Sequence, residues 1–162
     1  MQGSSFPTDA AGELSVPRRR TMAEAKFEGI TSQALGRVVL GADPEAAWLE
    51  TLRERYSKEK LSSQVKHSCP KWAFCILCHR GHIRGVRSGC CPAAEKSGSA
   101  VYTLRALDLL LSDPSLASNK RELKRLVFGE PGDEEYRTPN DEVEVLLALW
   151  GAGAIECRAG VG

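Results

Sequence analysis

Two parts of the chain read as copies of one helical unit, and that repetition limits the folds open to it. Residues 34–39 read Ala-Leu-Gly-Arg-Val-Val, and residues 106–111 read Ala-Leu-Asp-Leu-Leu-Leu, 72 positions later. At the same offset, Phe-Cys-Ile-Leu-Cys-His-Arg-Gly-His-Ile at 74–83 stands against Leu-Leu-Ala-Leu-Trp-Gly-Ala-Gly-Ala-Ile at 146–155. Each copy also holds an Asp-Pro step, Asp43-Pro44 and Asp113-Pro114, ahead of a charged helical stretch. The apolar residues recur at helical spacing throughout. The expected fold is therefore all-α: two tandem related three-helix halves forming one compact domain. The expected layout is a loose tail over 1–22, a first half over 23–86, a linker over 87–99, a second half over 100–157 and a tail over 158–162.

In the first half, Ile30, Ala34, Leu35, Val38 and Val39 predict a helix ending near Leu40-Gly41. Gly29 and Gly36 weaken it, each by about 1 kcal/mol relative to Ala. Asp43 ahead of Pro44 supplies a capping carboxylate and a proline at the first helical position, so a second helix runs from Pro44 to Tyr56. Its apolar face is Trp48, Leu49, Leu52 and Tyr56, and the polar stretch 57–68 reads as a connector. A third helix starts at Cys69-Pro70, turns Ala73, Phe74, Leu77 and Cys78 inward, and stops at Gly81. A glycine followed by an apolar residue, here Ile83, suits a Schellman end. The second half repeats the plan. Val101–Leu111 carries Leu104, Leu107, Leu110 and Leu111 as its stripe. Ser118 caps a helix with Leu123, Leu126 and Val127 inward. Asn140 or Asp141 opens a helix bearing Val143, Leu146, Leu147, Leu149 and Trp150. A short extended piece is expected after Ile83 and after Ile155. Trp48, Trp72, Leu77, Leu107, Leu110, Leu147 and Trp150 are the core candidates.

Composition sets further bounds. Apolar residues make up 42% of the chain and suffice for a core, but the aromatic share is only 6%, so aliphatic side chains must fill it. A net charge of +1 lacks the strongly basic balance of a protein that coats nucleic acid. No apolar run approaches the roughly 18 residues of a spanning helix, and no signal-type apolar core precedes Thr21. The expectation is a cytoplasmic protein that stays off the membrane and keeps its six cysteines reduced.

All three histidines and five of the six cysteines fall between His67 and Cys91. Cys75, Cys78, His82 and Cys90 form the best zinc-ligand set, since structural zinc takes four thiolate or imidazole ligands, commonly as two short-spaced pairs. The second pair is poor, because Cys90 and Cys91 are adjacent. At the repeat offset Cys75 and Cys78 correspond to Leu147 and Trp150, which favours small buried hydrophobes over ligands. No metal and no cofactor is therefore the leading expectation, with zinc as the alternative. Cys75-Ile-Leu-Cys78-His79 also spells a haem-attachment string, but that chemistry needs export. Cys69 is the better candidate for a reactive thiol: it opens a helix, where peptide dipoles favour a thiolate, and Lys71 is near.

The run Ser68-Cys69-Pro70-Lys71-Trp72-Ala73-Phe74-Cys75-Ile76-Leu77-Cys78, followed by Gly81 and Ile83, resembles the Cys-Pro-Lys-x-x-Phe-x-x-Leu-Cys stretch of a family of small uncharacterised bacterial helical proteins, a domain of unknown function. The likeness continues through Tyr102–Leu107, Asp113–Ala117 and Leu149-Trp150, and spans roughly residues 27–156. It implies a soluble helical protein with no assigned activity. Cys75, His79, His82, Cys90 and Cys91 stand outside the pattern, so it lends no support to a metal.

Two basic runs, Arg80, Arg84 and Arg87 with the histidines, and Lys120, Arg121 and Lys124, are the candidates for phosphate contact. A winged-helix-like regulator is the reading they support, against the objection that a helix-turn-helix joins its helices by about 3–4 residues. No phosphate loop, His-Glu-x-x-His or Gly-x-Ser-x-Gly is present. No catalytic residue is assigned and no enzyme is expected. The leading expectation is a binding or regulatory protein acting on a protein partner, with nucleic-acid binding or zinc binding as alternatives.

Overall fold

The computed structural model describes residues 21–156, so the expected tails 1–22 and 158–162 lie outside it apart from Thr21 and Met22. Among the described residues there are seven α-helices and no strand: α1 Met22–Val39, α2 Pro44–Arg55, α3 Lys58–Lys66, α4 Cys69–His79, α5 Gly98–Ser112, α6 Lys120–Phe128 and α7 Glu142–Gly151. Two 3-10 turns, Pro92–Lys96 and Pro114–Ser118, precede α5 and α6. The chain is all-α, as expected, with one helix more than the six expected.

Local chemistry accounts for the boundaries. Thr21 and Glu24 form a capping box at the start of α1, each side chain accepting from the other's backbone N–H. Met22 is thus the first residue of a helix and no part of a tail. Asp43 caps α2 by accepting from the Ala46 N–H at 3.0 Å, with Pro44 at its first position. The 57–68 connector is mostly helix, α3, which buries none of its residues; it lacks the apolar stripe by which the other helices are legible. The cap of α6 is Asn119, which accepts from the Glu122 N–H, and Ser118 ends the preceding turn instead. The 87–99 linker holds a 3-10 turn and the opening of α5.

α4 is the middle of the molecule. It packs on α2, α5 and α7 and is further covered by the Pro92–Lys96 turn. Its six residues from Ala73 to Cys78 are all 0% exposed, so the helix is apolar on every side. Phe74 meets Trp48 at 5.4 Å between ring centroids, and Trp48 stacks on Phe27 at 6.5 Å, which ties α4 to α2 and α1. Of the core candidates, Trp48, Leu77, Leu107 and Leu110 are buried, whereas Trp72, Leu147 and Trp150 are half-buried at its edge. α5 buries Ala100, Thr103, Ala106, Leu107 and Leu110, an arc that turns Leu111 outward. Leu126 is likewise exposed, since α6 buries Leu123, Val127 and Phe128.

α4 and α7 end alike. At α4, His82 N–H donates to the Leu77 carbonyl at 3.0 Å and Gly81 N–H to that of Cys78 at 3.2 Å. At α7, Ala154 N–H donates to Leu149 at 3.0 Å and Gly153 N–H to Trp150 at 3.1 Å. Both are Schellman turns, with glycine in the left-handed region at φ 77 and φ 71. The chain then extends after each, and Ile83 pairs antiparallel with Ile155 through Arg84 N–H to Ala154 and Glu156 N–H to His82, both at 2.8 Å.

Candidate functional site at the starts of two helices

The first residues of α4 and α5 face a common cleft of about 370 Å³ lined by Ser68, Cys69, Trp72, Lys96, Ser99 and Arg137, among others. The first N–H groups of a helix have no partner within it and carry the positive end of the peptide dipoles. Ser68 sits at the N-cap of α4 without a side-chain capping bond, while Ser97 caps α5 by accepting from the Ser99 N–H at 3.1 Å. Lys96 is exposed at the rim. No acidic residue is among the described residues that line the cleft.

Arg137 comes from the segment between α6 and α7. Its guanidinium lies over the Tyr102 ring at 4.3 Å, and Tyr102 stacks on Phe128. Its Nη1 stands 2.9 Å from the buried Glu142 carboxylate, and its Nη2 donates to Cys69 Sγ at 3.7 Å. Cys69, the expected reactive thiol, is therefore half-buried at a helix start beside a cation. Lys71, expected to lie near it, pairs with Glu45 at 2.8 Å and lies over Trp72. Neither Arg137 nor Lys96 is marked by any motif; their approach to Cys69 is purely tertiary.

The zinc-ligand alternative is only partly brought together. Cys75 and Cys78 are fully buried on α4, and Cys90 packs against the same core. Electrostatic neighbours of the Cys78 thiol include Cys90 and Cys91. His82 stands apart, beside Asp108 and Arg80, because its backbone joins the Ile83–Ile155 pairing. Burial holds its imidazole below the usual range. Among the described residues no three His, Cys, Asp or Glu side chains gather as a metal ion would require. Burial pushes the thiols of Cys75, Cys78, Cys90 and Cys91 upward. In the haem-like string, His79 Nδ1 accepts the Cys91 backbone N–H at 3.1 Å.

The basic runs are largely engaged within the fold. Arg80 holds Glu95 through two hydrogen bonds, and Arg84 Nε donates to the Gly153 carbonyl at 3.1 Å. Lys120 reaches Glu24 at 2.8 Å and Glu144 at 3.3 Å, and Lys124 reaches Glu144 at 2.6 Å, which fastens α6 to α1 and α7. Arg87 and Arg121 are exposed.

The model of a family of unknown function, DUF6979, matches residues 24–156 of the 162. The chain belongs to that family. The matched region of this DUF6979 chain runs from the capping box of α1 through the Ile83–Ile155 pairing and includes every residue of the cleft. No curated protein and no solved structure matches it. Among the described residues of the DUF6979 chain, no helix is long and apolar enough to cross a membrane.

Proposed function

We propose that the protein is a non-enzymatic binding protein, and that the cleft between the starts of α4 and α5 takes an anionic group presented by a protein partner. The observation that carries this reading is the convergence of two helix N-termini, Arg137 and Lys96 on one cleft without a lining carboxylate. Oriented N–H groups and a guanidinium are the usual means of holding a carboxylate or phosphate. Trp72 adds an apolar wall, and Cys69, which also lines the cleft, offers a thiol whose alkylation can be followed. The two related three-helix halves are part of the same reading: the matching ends of α4 and α7 and the pairing of Ile83 with Ile155 support them.

The test is the alkylation rate of Cys69 by iodoacetamide in the full chain, followed by peptide mass spectrometry as inorganic phosphate is raised. Saturable protection of Cys69, with Cys90 unaffected and protection lost in Lys96→Glu, is the expected result. Equal rates at all phosphate concentrations would overturn the reading.

A further inference from the structure

Asp141 is set apart by its backbone. Among the described residues it is the one residue other than glycine at positive φ, 72°, in the left-handed region. It also opens α7 as the N-cap, where an Asp ordinarily accepts an N–H from the first turn of the helix. Asp43 does so at α2, from extended backbone. Asp141 makes no side-chain capping bond. It thus carries left-handed strain and forgoes the cap at once, a combination that persists only where the surroundings impose it.

The Asp141 carboxylate turns instead to His67, with Oδ2 2.9 Å from Nε2 across 74 positions of chain. An ionised carboxylate only accepts, so Nε2 carries the proton. His67 ends α3 and precedes Ser68, the N-cap of α4. Because α3 buries none of its own residues, core packing does not fix that joint from the α3 side. On the other side, Asp141 precedes Glu142, whose buried carboxylate faces Arg137 at 2.9 Å. The bond therefore adjoins both walls of the cleft: Ser68 and Cys69 on one, and Arg137, through Glu142, on the other. A second tie between the walls, Arg137 Nη2 to Cys69 Sγ at 3.7 Å, is the weaker, since sulfur is a poor acceptor.

We propose that His67 and Asp141 are positioning residues, a latch that holds the Arg137 segment against the start of α4 and so sets the affinity of the cleft for an anion. Neither lines the cleft, and both act through their neighbours. The effect on affinity rests on the anion-binding reading given above; the coupling of the two segments does not. The side chains are 37% and 31% exposed. A pair so placed is worth little more than a surface ion pair, so its loss should weaken phosphate binding about two- to fivefold. Asp141 is kept at a strained backbone position for this contact, at the expense of the cap it would otherwise supply.

The test compares the full chain with its His67→Ala, Asp141→Gly and Asp141→Asn variants. Three readouts are taken: thermal unfolding, amide hydrogen exchange, and protection of Cys69 from iodoacetamide by inorganic phosphate. Asp141→Gly removes the latch and the left-handed strain together. Its thermal midpoint should hold, while the phosphate needed for half-protection rises about two- to fivefold. Exchange should quicken across the latch. In Asp141→Gly it quickens at Trp72, whose N–H donates to the Ser68 carbonyl at 3.0 Å. In His67→Ala it quickens at Arg137, whose N–H donates to the Phe128 carbonyl at 3.2 Å. Asp141→Asn keeps an acceptor for His67 and tolerates the left-handed region, so it should return both readouts toward the wild type. Unchanged protection in His67→Ala and Asp141→Gly, or quickened exchange confined to the substituted segment, would overturn the proposal. If phosphate fails to protect Cys69 in the wild type, the anion reading falls, and exchange across the latch decides the coupling by itself.

Discussion

Glu142 has no exposed surface, yet its side chain is a carboxylate. Its Oε1 accepts the Asn140 N–H at 2.8 Å, and its Oε2 faces Arg137 Nη1 at 2.9 Å in an ionic contact that is out of line for a hydrogen bond. Removing one member of such a pair leaves an uncompensated buried charge, at a cost of about 3 kcal/mol. Arg137→Met should therefore lower the urea midpoint sharply, and Glu142→Gln added to it should recover much of the loss. His82 gives a second expectation. Its folded pKa is depressed by burial, so the unfolded chain binds more protons below about pH 6.5. Stability should be full above that pH and fall as pH drops through the folded value. His82→Gln should flatten this slope, measured by chemical denaturation between pH 5 and 7. At this scale sequence was a partial guide. Cys69 stands out because Pro70 marks a helix start, but its partner Arg137 lies 68 positions away and no spacing announces it.

The helices were legible where an apolar stripe or a capping residue marks them. Asp43-Pro44, Cys69-Pro70 and Gly81 each stand at a real boundary. α3 was missed because a nine-residue helix with no buried side chain has no stripe to read. Cys75 and Cys78 differ in burial from Leu147 and Trp150, the residues at the offset of 72. The sulfurs are fully buried, whereas Leu147 and Trp150 are half-buried, because α4 has the Pro92–Lys96 turn as extra cover. The two helix-ending glycines offer a controlled comparison. A side chain at positive φ costs roughly 1–2 kcal/mol. A Cβ on Gly81 would also come within 3.2 Å of Ser88 Cβ, while one on Gly153 would meet nothing within 4 Å. Gly81→Ala should thus destabilise more than Gly153→Ala in thermal unfolding, and equal losses would show that the Ser88 contact relaxes freely.

Across the whole molecule, three segments distant in sequence meet at one cleft: the start of α4, the start of α5 and Arg137. The all-helical fold and the helix ends at Gly81 and Gly153 follow from periodicity and glycine placement, both local signals, whereas the pairing of Ile83 with Ile155 joins segments far apart in sequence. The cleft does not follow from local signals either, because it exists only once α4 and α5 are packed together. The runs that looked most cationic in sequence, with Lys120 and Lys124 foremost, are largely neutralised by Glu24 and Glu144. Mapping amide shifts of the isotopically labelled chain during titration with inorganic phosphate tests the account most directly. Saturable shifts confined to Ser68, Cys69, Gly98, Ser99 and Arg137 are expected. Shifts centred on Lys120, Arg121 and Lys124, with the α4 and α5 starts unmoved, would contradict it.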